Sequence, residues 1–154
     1  MAPRTKPIEA VSPEAVDTRF LRTLVGYNAR RAALVIIDSF VREMAVHGFR
    51  PVDFSVMSVI KDNPGVTSRQ LCAELNIQPP NLVGMVQTLE KRGLIERQAH
   101  PSDKRATGLH PTPAGLELMH GAERTATELE TRMCAKLDLK QRTQLLKLLQ
   151  AVYD

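Results

Sequence analysis

The chain has no tryptophan and only two tyrosines and four phenylalanines in 154 residues, so any core must be built from aliphatic side chains and methionine. Its two cysteines, Cys72 and Cys134, stand far apart with no CxxC pair, and its four histidines are dispersed, which leaves neither a disulfide framework nor a zinc site of ordinary spacing. Both thiols are expected to be reduced and semi-buried. No apolar run approaches the roughly 20 residues of a bilayer span, so no membrane partner is expected. The first residues, MAPRTKPIEAVSPE, lack an apolar segment followed by a small-residue cleavage site, which makes the expected location cytoplasmic. There is no GxSxG, phosphate-cradling glycine loop, HExxH or Cys/His nucleophile pair, so the chain is not read as an enzyme, and no catalytic residue, metal or cofactor is assigned. Hydrophobic residues make up 43% of the chain, which argues against disorder. The length suits one compact domain, or one small domain with helices that depend on a partner.

The formal charge of +4 is modest, yet between Lys91 and Arg105 five basic residues face only Glu96 and Asp103. Such a local excess suits a polyanion. It follows a stretch that reads as two short helices and a tight turn. Thr67 or Ser68 can cap the first helix, which sets Leu71, Cys72 and Leu75 on one side and closes at Asn76. Pro79 and Pro80 suit the first turn of the second, whose amides lack intrahelical partners; Leu82, Val83, Val86 and Leu89 are expected to be buried, and Gly93 to stop the helix. The result is a helix-turn-helix whose second helix exposes Gln78, Asn81, Gln87 and Thr88, a polar and uncharged face. Leu94 to Gln98 and Arg105 to His110 then read as the two strands of a hairpin, with His100, Pro101 and Ser102 at its tip.

Around this unit the pattern is helical. Residues 1–17 contain Pro3, Pro7 and Pro13 among polar residues and read as a flexible arm. Thr18 to Val46 carries an apolar stripe of Phe20, Leu24, Tyr27, Leu34 and Val41, broadened by Ile36, Ile37, Phe40 and Met44, and ends at Gly48. A further helix is predicted from Val52 to Asp62, followed by an Asn63-Pro64-Gly65 turn. Thr112 caps, and Pro113 opens, a helix expected to reach Leu137; a last helix restarts at Asp138 or Leu139. The terminal helices carry more apolar surface than a lone helix-turn-helix can hide, so the helices of two subunits are expected to interleave about a two-fold axis. The fold class is therefore mainly α: a winged helix-turn-helix with a small β-hairpin wing and N- and C-terminal dimerisation helices. Its segments are the arm (1–17), a dimerisation helix (18–48), the DNA-binding domain (49–110) and the C-terminal dimerisation helices (111–154).

These residues resemble the MarR-type winged helix-turn-helix regulators of bacteria and archaea. The likeness rests on GYNARRA at Gly26 to Ala32, HGFRPVDFSVMSVI at His47 to Ile60, LEKRGLIER at Leu89 to Arg97, SDKRA at Ser102 to Ala106 and TPAG at Thr112 to Gly115. It implies a homodimer on a pseudo-palindromic operator in double-stranded DNA, acting as a repressor, with recognition helices in successive major grooves. It also implies that Asp103 and Arg105 act as a unit, the aspartate orienting the arginine at the minor groove or its phosphates. Two departures stand out. Many relatives carry an arginine at the position of Gly84 and an acidic residue at Gln87, and their Leu-Thr before the next helix is Pro111-Thr112 here.

The DNA-contact candidates are thus Ser68, Gln78, Pro79, Asn81, Gln87, Lys91, Arg97, Asp103, Lys104 and Arg105, with Arg92 and His100 as further phosphate contacts. Amides offer a donor and an acceptor in one plane and suit adenine, while the cations suit phosphates. Arg31 lies on the apolar stripe four residues after Tyr27. An arginine there can snorkel or pair with an acid. The resemblance implies a second role, since many such regulators bind small aromatic acids: Arg31 or Arg30 would clamp the carboxylate while Tyr27, Phe54 and Met57 pack the ring. Two other functions stay in view. One is a thiol-oxidation sensor, although the family's sensing cysteine sits near the start of the first long helix, where this chain has none. The other is a winged helix used for protein docking, against which the basic hairpin and polar face weigh.

Overall fold

The computed structural model describes residues 16–99 and 107–153. By its internal contacts the chain divides into two units, Met1–Val35 and Ile36–Asp154. Within the first, α1 (Arg19–Arg22) is followed by the start of α2 (Val25–Met44). The sequence pattern predicts one continuous helix here, and the break has a local cause. Thr23 turns its hydroxyl back onto the Phe20 carbonyl at 2.7 Å, and the Asn28 amide donates to the carbonyls of Arg22 and Leu24, each at 2.8 Å. Those carbonyls are satisfied without a continuing helix. The expected flexible arm lies almost wholly outside the described residues; of it, Asp17 accepts the Arg19 amide at 2.9 Å.

The second unit carries the core. After α2, a 3-10 turn over Ala45–His47 ends at Gly48, which is left-handed at φ 66°; α3 (Pro51–Asp62), β1 (Val66–Thr67), α4 (Ser68–Leu75) and α5 (Pro79–Lys91) follow. Then come β2 (Ile95–Ala99), β3 (Thr107–Pro111), α6 (Pro113–Met133) and α7 (Leu139–Tyr153). The architecture is mainly α with a small antiparallel sheet in the order β1-β3-β2. The hairpin register runs from Ile95 opposite Pro111 to Ala99 opposite Thr107. The two-residue β1, which pairs Val66 with Leu109, is too short to leave a periodic signal and is absent from the sequence reading. The hairpin tip, His100 to Ala106, lies outside the described residues.

Local chemistry explains most boundaries. Thr67 and Gln70 form a reciprocal cap on α4, and Asn76 ends it in the left-handed region at φ 50°. Thr112 accepts the Gly115 amide at 3.0 Å and donates to the Gly93 carbonyl at 2.6 Å, which anchors α6 to the start of the hairpin. Gly115 is required there, because a Cβ would lie 2.0 Å from the Leu94 carbonyl oxygen. Helix α6 stops at Met133, short of the predicted Leu137, where the Arg142 guanidinium takes up the Glu130 carbonyl at 3.0 Å. Met44, Val56, Met57, Ile60, Leu71, Leu82, Val86, Leu89, Leu109 and Met119 are sealed from solvent, so α2, α3, α4, α5, β3 and α6 share one aliphatic core. Helix α7 contributes no buried residue to it.

Candidate nucleic-acid interface

Helices α4 and α5 form the predicted helix-turn-helix. Leu82, Val86 and Leu89 anchor α5 in the core, each 1% exposed. With about 100° between successive side chains, the opposite face consists of Pro80, Gly84, Gln87 and Lys91, flanked by Asn81 and Thr88 on one side and Val83 on the other. All of these are exposed. Val83 corrects the sequence reading. It was expected in the core, but it sits one residue past Leu82, on the shoulder of the helix, and is 52% exposed.

The remaining candidates fall into three groups. Gln78 is the exposed N-cap of α5 and makes no side-chain cap bond, while Pro79 follows at the first helical position. Asn81, Gln87 and Lys91 point outward from the same helix, and Ser68 is half-buried at the start of α4. Arg97, on β2, is held by Glu90 of α5 through two bonds of 2.8 and 3.0 Å. This fork couples the base of the wing to the end of the recognition helix and leaves the Arg97 side chain 41% exposed. Asp103, Lys104 and Arg105 lie outside the described residues, as does His100.

Arg92 has a different employment from the phosphate contact suggested by its charge. Its two terminal nitrogens donate to the carbonyls of Gly48 and His47, both at 2.8 Å, and its guanidinium covers the Phe49 ring at 5.2 Å from the centroid. Those carbonyls end the 3-10 turn after α2 and would otherwise lack partners. A planar fork fits two neighbouring acceptors and an aromatic face at once. His47 also links its ring to the Thr125 hydroxyl of α6 at 2.9 Å. Sequence reasoning missed Glu90 and the Arg92 cap because neither is marked by a spacing rule; the Arg92 acceptors lie 44 and 45 residues away.

The candidate effector residues fall in both units. In the first, Tyr27 is half-buried, and Arg30 and Arg31 are exposed with no ion pair among the described residues. In the second, Phe54 is half-buried, edge-on to Phe40 at 5.5 Å and to Phe49 at 6.2 Å. Met57 is fully enclosed by the core.

A recognition helix with a solvent-facing polar surface, propped by a helix at its back and a β-ribbon at its flank, defines a winged helix-turn-helix regulator that binds DNA. The MarR family model matches residues 47–106. The solved transcriptional repressor CouR bound to a 23-mer DNA duplex is 32% identical, with a TM-score of 0.85, across 90% of this chain and 99% of that one. The chain belongs to the MarR family and is a transcriptional regulator, not an enzyme. CouR from Rhodococcus jostii RHA1 bound to p-coumaroyl-CoA is 25% identical, with a TM-score of 0.79, over 86% of this chain and 93% of that one. A Thauera aromatica protein named as a transcriptional regulator for the hcr operon is 28% identical over 151 residues, 97% of this chain and 90% of that protein.

Proposed function

We propose that this protein is a homodimeric repressor that binds a pseudo-palindromic operator in double-stranded DNA and leaves it when an aromatic carboxylate, or the coenzyme A thioester of one, is bound. The observation that carries the reading is the outward face of α5, which none of the described residues covers, in a protein similar over nine-tenths of its length to a repressor bound to DNA. Gln78, Asn81 and Gln87 would meet base edges. Ser68, Lys91 and Arg97 would meet the phosphate backbone, with Pro79 setting the entry of the helix and Asp103, Lys104 and Arg105 serving from the wing.

Dimerisation is supported by the apolar surface that the single chain leaves uncovered. On α7, Leu139 is 80% exposed, Leu146 58%, Val152 72% and Tyr153 75%; on α1, Phe20 is 73% exposed. A two-fold partner would bury such a surface and set two recognition helices at a fixed spacing.

Arg30 and Arg31 are the proposed anion clamps, with Tyr27 beside them on α2; Phe54 is the second unit's candidate for packing the ring, whereas Met57, sealed in the core, has no surface to offer a ligand. The thioester form is favoured by the relative that binds p-coumaroyl-CoA. A thioester has no free carboxylate, so the arginines would meet phosphates of the coenzyme instead. An effector shifts operator binding only by its differential affinity for the DNA-bound and free arrangements. The test is fluorescence anisotropy on the DNA upstream of the coding region against scrambled DNA, with matched panels of aromatic acids and their thioesters. Specific binding released by one panel identifies the effector class. Arg30→Ala or Arg31→Ala should lose that release and keep operator affinity; full release in both variants would remove these residues from the effector site.

A further inference from the structure

The outward surface of the recognition helix includes two residues, Val83 and Gly84, that the packing of the fold does not call for. Gly84 lies mid-helix in α5, where glycine is a poor helix former compared with alanine. A Cβ built on it meets nothing within 4 Å, and its backbone is not left-handed, so neither packing nor conformation calls for glycine. Its neighbour Val83 is β-branched and apolar, yet 52% exposed. Pro80, three residues before Val83, and Gln87, four after it, fall on the same side of the helix. Within Pro79–Lys91 the only cation is Lys91, the last residue. The Thr88 hydroxyl donates to the Gly84 carbonyl at 2.8 Å, which commits its proton to the helix backbone.

We propose that this face reads A·T pairs, with Val83 seated against a thymine C5-methyl, Gln87 paired to adenine one helical turn on, and Gly84 leaving room for the groove floor to approach the helix backbone. The inference rests on the operator-binding reading and names the bases to be read. In the major groove thymine alone offers a methyl group, which selects an apolar partner, and adenine offers an adjacent acceptor and donor that a planar amide matches in one plane. Guanine is read by the paired donors of arginine or by lysine, and the centre of this face has neither. The missing side chain at Gly84, beside Pro80 and next in sequence to Val83, would leave a shallow channel whose chemistry suits a methyl-bearing base edge.

The decisive experiment uses the full-length protein and the tightest-binding duplex selected from a randomised pool, with each thymidine in turn replaced by deoxyuridine, which lacks only the methyl. Anisotropy titrations compare wild type, Val83→Ala and Gly84→Ala, and thermal melting is recorded for each. For the wild type, one or two replacements per half-site are expected to weaken binding by about fourfold each, the worth of a buried methyl. In Val83→Ala those same replacements should make no difference. Gly84→Ala should melt a few degrees higher, because alanine favours the helix, and yet bind the duplex about tenfold more weakly, because the new methyl occupies the channel. A gain in stability together with a loss of affinity separates contact with DNA from a structural role. Equal binding of all deoxyuridine duplexes by the wild type, or an undiminished penalty in Val83→Ala, would overturn the proposal while leaving operator binding intact. If the wild type selects no sequence at all, the operator reading fails, and this one with it.

Discussion

Two residues show how side chains of the same sequence block acquire opposite duties. Lys91 projects from the end of α5 into solvent, whereas the adjacent Arg92 folds back onto His47, Gly48 and Phe49. Each phosphate contact contributes about one to the slope of log affinity against log salt. Lys91→Ala should therefore lower that slope by about one unit. Arg92→Ala should leave it unchanged and instead cost about 1 kcal/mol of stability, measured by urea denaturation, from the lost cap bonds and ring contact. A drop in the salt slope for Arg92→Ala would return that residue to the DNA-contacting set. Gly115 makes the sharper steric case. With a Cβ only 2.0 Å from the Leu94 oxygen, Gly115→Ala must push the start of α6 away from the hairpin, and we expect a loss of about 3 kcal/mol in the same measurement.

At the scale of elements, the recognition helix and the wing are joined by a charge-assisted fork. Glu90 and Arg97 sit on different elements and are bonded at both guanidinium positions. The pair is partly exposed, so its contribution to stability is about 0.5 kcal/mol. Its effect on geometry is separable from its effect on charge. Removing an acid beside the proposed DNA-contacting face should strengthen attraction to any duplex, yet releasing Arg97 lets β2 shift against α5. Glu90→Gln is therefore expected to bind random DNA more tightly and its operator about threefold more weakly, a fall in specificity measurable by competition. Tighter binding to both duplexes would reduce the pair to simple electrostatics. The cap of the 3-10 turn by Arg92 belongs to the same design, since it ties the end of α5 to the end of α2.

For the whole molecule, exposed leucines on α7 and exposed aliphatic residues on α1 and α2 exceed what scattered surface hydrophobics explain. If a second copy covers them, the melting temperature should rise with protein concentration, because association is part of folding stability. Leu146→Lys together with Leu149→Lys should then yield a monomer by light scattering and lose operator affinity by at least about a hundredfold, since one half-site replaces two. An unchanged dimer in this double variant would locate the interface elsewhere.

Much of this protein was legible in its residues taken in order. Thr67, Asn76, Pro79, Gly93 and Thr112 mark helix boundaries through local backbone chemistry, and the pattern of apolar and polar residues between them places α4, α5 and the strands of the hairpin, as the pattern before them places α3. Such signals act within one or two turns of chain, so they survive without tertiary context. The folded chain decided what local pattern cannot carry. Val83 satisfies a hydrophobic pattern but lies outside the arc that the core covers; Arg92 looks like a phosphate contact until carbonyls 44 and 45 residues distant claim it; β1 exists only because β3 is there to pair with it. Charge and periodicity follow from residue identity and spacing. Exposure, and the partner a polar group finds, depend on which distant segments packing brings together.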